Sequence, residues 1–155
     1  MTTTYAVVPI GHVHSPRTEA IDDDWGDIES TIQLDHTQFA PDVLAGLTDF
    51  SHVDVIYLFD QVDPAKVNLG SRHPRNRADW PLVGIFAQRA KARPNRLGAT
   101  TCELLDVTDL TLTVRGLDAI DGTPVRDIQP HVIEFQARSQ VRQPGWISEL
   151  MAGYW

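Results

Sequence analysis

The chain has almost no cysteine, no long apolar run and none of the common nucleotide-binding fingerprints. Cys102 is the only cysteine, which excludes an internal disulfide and a thiolate-rich metal centre. No apolar stretch approaches the roughly 20 residues that a bilayer-spanning helix needs. The opening residues MTTTYAVVPIGHVHSPR lack a basic start followed by an apolar core, so they do not read as a secretory signal. The expectation is a cytoplasmic protein that does not enter the membrane. No G-x-x-x-x-G-K-[ST], no G-x-G-x-x-G after a strand and no G-x-S-x-G occurs, so P-loop, Rossmann and nucleophile-elbow chemistry have no support. What is present is ordinary for a folded domain: 155 residues, 42% of them hydrophobic, enough for a single domain over 1–155 with a real core.

Charge is distributed unevenly. The chain carries a formal net charge of −8, yet Lys66 to Arg96 holds eight of the 13 cations against one acid, Asp79. Gly70, Pro74, Pro81, Gly84, Pro94 and Gly98 interrupt or flank that run, so it is not a solvated amphipathic helix. Loops that present cations to an anion fit better. Within RAKARPNRLG, Pro94 biases Arg93 toward extended backbone and Asn95 tolerates a left-handed turn. Gly98 adopts such a turn freely. A shaped loop of this kind aims Arg89 and Arg93 at a carboxylate or phosphate.

Strand patterns dominate. Tyr5–Val13, STIQL (Ser30–Leu34), HVDVIYLF (His52–Phe59) and LVGIFA (Leu82–Ala87) read as strands. TTCELLDV and LTLTVRGL form a hairpin around Thr108–Asp109, with Leu112 and Val114 on one face. Helices are few: a short one after Pro41 that turns Val43, Leu44 and Leu47 inward, and a second in PGWISELMAGYW, where Trp146, Leu150 and Tyr154 recur at helical spacing. Between Val62 and Trp80 lies a long aperiodic polar stretch, a length usually reserved for function. The fold class is mostly β, a barrel with one long basic loop.

Three further constellations bear on chemistry. His12 and His14 face one side of a strand, a geometry open to metal, but no carboxylate of obvious spacing joins them and no metal is expected. DDDW (Asp22–Trp25) is either a solvated turn or an electrostatic partner for a cation, with Trp25 as a cation–π surface. LDAIDGTPVRDIQP (Leu117–Pro130) holds a tight turn at Asp121–Gly122, with Gly122 at positive φ. Asp118, Asp121 and Asp127 gather around that turn.

Taken in order, IGHVHSP, FSHVDVIYLF, PLVGIFAQRAKARPNRLGATTCELL and GLDAIDGTPVRDIQP resemble the TrmO/YaeB (TsaA-like) family. The resemblance spans about residues 8 to 133. It implies a compact, non-Rossmann β-barrel that uses S-adenosylmethionine as a methyl donor. It also implies a homodimer and, for members of known role, methylation of N6 of threonylcarbamoyladenosine beside the tRNA anticodon. Position by position it implies cofactor contacts from Arg89, from Ala99, from the turn Ala119, Ile120, Asp121 and Gly122, and from Asp60 and Gln61 after the central strand. Arg75, Arg93 and Asn95 fall to substrate, and Trp25, His73 or Trp80 to stacking on a splayed base. Several positions depart from the family pattern. DDDW stands near where the family has P-R-Q, Asp60 replaces a usual histidine, Gln129 a usual lysine and RAK the usual RSP, and the C-terminal extension of longer members is missing. Those departures keep a small metabolite or peptide as acceptor, or a non-catalytic cofactor-binding module, beside tRNA methylation. No catalytic base is identified; Asp127 and Asp60 are candidates.

Overall fold

Period-two alternation of apolar residues dictates a barrel, because one face of every strand must leave water. In the computed structural model, which describes residues 2–155, six strands close antiparallel in the order β1-β2-β7-β6-β3-β8. They are β1 (Gly11–His14), β2 (Glu29–Leu34), β3 (His52–Leu58), β6 (Leu97–Thr108), β7 (Thr111–Arg115) and β8 (Pro124–Pro130). A two-stranded ribbon of β4 (Ser71–Arg72) and β5 (Val83–Gly84) lies in the β3–β6 connection, and one helix, α1 (Gly145–Met151), follows β8. Val13, Ile32, Val53, Val55, Tyr57, Leu112, Val114 and Val125 fill the bore and are fully buried. Each such aliphatic side chain contributes about 1.5–3 kcal/mol of burial.

The hairpin register pairs Thr108 with Thr111, leaving Asp109 and Leu110 as the two-residue loop, with Asp109 at φ 53°. Closure rests on the short β1–β8 seam. Gly11 pairs with Val125 and His12 with Pro124, and flanking bonds run from Ile10 N to Val125 O (2.8 Å) and from Val13 N to Thr123 O (2.9 Å).

Several expected elements differ. The first strand begins only at Gly11, and Tyr5, Val7 and Val8 are exposed. No α-helix follows Pro41; Gly46 at φ 85° breaks the run, and only a 3-10 turn at Leu47–Asp49 forms. Leu44 and Leu47 still pack on the core, whereas Val43 is exposed. Leu82–Ala87 yields a two-residue strand and a 3-10 turn, with Phe86 in water. β8 was hidden in a stretch that reads as a turn; Pro124 is tolerated as its first residue. His12 and His14 share the outer face of β1, and no group of three metal-ligating side chains gathers among the described residues. Among the described residues no helix is long and apolar enough to cross a membrane.

The alternating strand directions sort the connections. Residues 15–28, 59–96 and 116–123 all leave the barrel at one end, while the turn at 109–110 and the segment 35–51 lie at the other. A side chain at Gly11 would strike the neighbouring strand β2, since a Cβ there lies 2.2 Å from Gln33 O, a backbone atom. Gly11→Ala is expected to destabilise the barrel by about 1–3 kcal/mol, read as a lowered urea midpoint with unchanged slope.

Candidate functional site

The mouth formed by these three connections holds a carboxylate at the top of the bore. Tyr57 and Thr100 point inward on adjacent strands, β3 and β6, and Gly98 gives the Tyr57 ring its room: a Cβ there would lie 2.6 Å from two ring atoms. This is why position 98 needs glycine. It is needed for space and not, as the sequence suggests, for a left-handed turn; that conformation falls to Asn95 (φ 62°) and Arg96 (φ 51°). The Tyr57 hydroxyl donates to Asp118 Oδ1 at 2.8 Å, and the Thr100 hydroxyl donates to the same oxygen. The Tyr154 hydroxyl, from the segment after α1, donates to Oδ2. Three hydroxyls therefore hold one half-buried carboxylate, which a charge removed from water requires.

Asp118 leads directly into the turn at Ala119–Gly122. Asp121 N donates to Arg17 O (2.7 Å), Gly122 N to Val13 O (2.8 Å), and the Thr123 hydroxyl to Ile120 O (2.7 Å). Gly122 takes φ 83° as expected, with open space where a Cβ would stand. Asp121 Oδ1 accepts Ser15 N at 3.1 Å, and His14 Nδ1 is 3.9 Å from that oxygen. Asp127 lies elsewhere. It sits on β8 opposite Ile56 and bonds Gln129 at 2.9 Å, so the expected trio of acids is in fact a pair.

The basic connection is braced largely by its own arginines. Arg89 Nη2 donates to Ala99 O at 2.5 Å, which joins two of the expected cofactor residues. Arg93 donates to Gln88 O at 2.6 Å and Arg96 to Val62 O at 2.7 Å. Arg75 bonds both oxygens of Asp23, at 2.9 and 3.3 Å, so DDDW pairs with the basic loop itself. Asn95 is exposed at the tip. Asp60 and Gln61 bond each other at 3.0 Å; no hydrogen bond ties either side chain to Arg89 or to the 119–122 turn. Ala99 faces outward, opposite Ile56.

None of the three expected stacking rings is free. Trp25 is 3% exposed and lies under the Arg17 guanidinium, 4.5 Å from its centroid. Trp80 is 4% exposed, with Arg77 at 4.1 Å, and His73 Nδ1 bonds Trp80 O at 2.7 Å. These aromatics serve the fold of the mouth. Conversely, Tyr57, Thr100 and Tyr154 are site residues that sequence reasoning passed over. A tyrosine inside a wholly apolar strand was the available signal, because its hydroxyl demands a buried partner.

With this geometry in hand, the chain can be compared with known proteins. Residues 14–137 match the family described as the tRNA-methyltransferase O N-terminal domain. A Pyrococcus abyssi protein described as a probable S-adenosyl-L-methionine-binding protein is 36% identical over 91% of this chain and 75% of its own. The human tRNA (adenine(37)-N6)-methyltransferase is 33% identical over 65% of this chain, but only 22% of its own length is covered. A crystal structure of TrmO from Pseudomonas aeruginosa superposes with a TM-score of 0.75 at 28% identity, covering 94% of this chain and 63% of that one.

The mouth's chemistry also predicts a pH response. Burial, then the Asp118 charge, lifts the Tyr57 phenol well above its ordinary 10.0. The same two causes lift Tyr154, opposed in part by the nearby Arg89 charge. Burial also pushes the Cys102 thiol from 9.0 up to about 12. The folded chain thus keeps protons that the unfolded chain releases. The stability this contributes is complete below about pH 9 and falls as pH rises through the ordinary thiol and phenol values. Urea midpoints measured from pH 8 to 11 are expected to drop steeply, and Cys102→Ala or Tyr57→Phe to make the drop shallower.

Proposed function

The chain belongs to the tRNA-methyltransferase O N-terminal domain family, and from that premise we propose that it binds S-adenosylmethionine at the barrel mouth and transfers its methyl group. The observation that carries this reading is the juxtaposition of Arg89, the Asp118 carboxylate and the peptide groups of 119–122 at one end of the barrel. That donor set fits the cofactor. A guanidinium suits an amino-acid carboxylate, a carboxylate suits an ammonium group, and the second oxygen of Asp121, beside the open space at Gly122, suits ribose hydroxyls. When bound, the cofactor supplies an activated methyl on a sulfonium. The protein's own part is alignment, holding ligand and acceptor by groups already locked in place. Arg89 is oriented by Ala99 O and Asp118 by its three hydroxyls.

For the acceptor we propose an exocyclic nitrogen of tRNA adenosine at position 37, the substrate printed in the name of the human relative. The cationic connection Lys66–Arg96 borders the mouth and would meet phosphates. A small acceptor is the second reading, favoured by the way residues 149–155 lie across that mouth. We further propose a homodimer. Leu69, Leu82 and Phe86 are 83%, 61% and 79% exposed on the same connection, apolar side chains that a second copy would cover.

Calorimetric titration is expected to show S-adenosylmethionine binding, with Arg89→Ala weakening it about tenfold or more, the scale of a lost charged hydrogen bond. Mass spectrometry of tRNA incubated with protein and cofactor should detect the methylated nucleoside. RNA affinity should fall steeply with salt; affinity that ignores salt overturns the tRNA acceptor and leaves the cofactor reading intact. Light scattering should give twice the 17.3 kDa chain mass.

A further inference from the structure

The segment after β8 is the one element that touches all three connections at the mouth. Asp24 N donates to Gly153 O (2.9 Å) and Trp25 N to Tyr154 O (2.8 Å), a two-bond seam with DDDW. Gly26 lies so close that a Cβ there would be 2.7 Å from Trp155 C. Trp80 Nε1 donates to Glu149 Oε2 at 2.9 Å, which ties α1 to the basic connection. Tyr154 then reaches Asp118 in the third connection. The part that reaches the mouth, residues 149–155, lies outside the span matched to the family, which ends at residue 137.

The donors to Asp118 are unequal in what they fix. Tyr57 and Thr100 both bond Oδ1, and both come from the barrel wall. Among the described residues only Tyr154 bonds Oδ2, so it anchors the second oxygen of a carboxylate whose first oxygen the barrel wall already holds. Arg89 is near enough that its charge bears on the Tyr154 phenol. A carboxylate anchored at both oxygens and a guanidinium at the same mouth complement an α-amino acid zwitterion, whose ammonium and carboxylate sit on one carbon.

We propose that Tyr154 is a positioning residue: by holding Asp118 Oδ2 it orients this carboxylate toward the ammonium of the cofactor's amino-acid part, so that residues 149–155 form the fourth wall of the site. This rests on the cofactor reading above and adds to it a named residue and a named part of the ligand.

Three ligands separate the roles. S-adenosylmethionine and S-adenosylhomocysteine carry the amino-acid part, and 5′-methylthioadenosine lacks it. In calorimetric titrations Tyr154→Phe, which keeps the ring, is expected to weaken the first two by roughly five- to twentyfold, the range of one hydrogen bond to a charged group. Its affinity for 5′-methylthioadenosine should stay within about twofold of wild type. Ser148→Ala, which removes the Gln143 bond on α1 without touching Asp118, should keep the wild-type ratio between ligands. Equal weakening of all three ligands by Tyr154→Phe, or no weakening, overturns the positioning role while leaving the cofactor reading standing. Wild-type protein that binds none of the three overturns both. Should Tyr154→Phe fold poorly, hydrogen exchange on the wild-type chain decides. The amides of Asp24, Trp25 and residues 149–155 should be protected by S-adenosylhomocysteine and not by 5′-methylthioadenosine, and equal protection by both overturns the proposal.

Discussion

Closure of an antiparallel barrel is the constraint from which the site follows. With six strands hydrogen-bonded in a ring, every neighbour reverses direction and every connection must emerge at one end or the other. Short turns suffice wherever the chain only needs to come back, as at Asp109–Leu110. The three long connections all share the opposite end, so residues far apart in sequence, such as Arg17, Arg89 and Asp121, are collected there without any helix to carry them. The β1–β8 seam that completes the ring is short, and it runs into the site: Val13 and Gly122 exchange a backbone bond at its edge. The turn that presents peptide groups at the mouth is therefore anchored by the same bonds that close the barrel.

A second constraint is electrostatic. Placing a carboxylate at the top of an apolar bore is costly unless donors surround it. Asp118 meets that demand with hydroxyls rather than with a cation. The choice matters for Arg89, whose guanidinium is spent on a neutral carbonyl, Ala99 O, and so keeps its full charge for a ligand. The same logic separates the arginines of the basic connection. Arg75 and Arg77 are matched by Asp23 and Asp79, whereas Arg89, Arg93 and Arg96 hold carbonyl oxygens. Carbonyls orient a cation without neutralising it. The mouth of an acidic chain can thus present cations whose charge no carboxylate of the chain has taken up.

Much of this was legible in the sequence where a local rule governs. Alternation in His52–Leu58 and the hairpin at Thr108–Asp109 were readable because burial of one face fixes the period. Arg93 before Pro94, Asn95 in a left-handed turn and Gly122 at positive φ follow from backbone sterics alone. The motif pattern also led to the family, the barrel and the residues around the mouth. What stayed hidden depends on tertiary partners. Trp25 reads as an exposed ring until Arg17 is seen over it. Gly98 reads as a flexible joint until the Tyr57 ring is seen against it. The helix after Pro41 has reasonable periodicity, and Gly46 wins over it. Tyr154 has no local signal at all, since its hydroxyl finds a partner 36 residues back.

That last contact separates two jobs within the fold. Tyr57, Thr100, Arg89 and the 118–122 turn lie inside the span matched to the family, so the barrel wall and its connections carry the groups suited to the cofactor. The donor to Asp118 Oδ2 comes from beyond that span, as do the bonds that bridge the mouth at Asp24, Trp25 and Trp80. A chain with a different segment after β8 would keep the Oδ1 contacts and would need another donor for Oδ2. The same segment decides how wide the mouth stands open to an acceptor. Barrel closure thus constrains the wall that holds Asp118 Oδ1, while the segment after β8 touches both the second oxygen of Asp118 and the opening of the mouth. A barrel of this design can change the segment across its mouth without rebuilding the wall behind it.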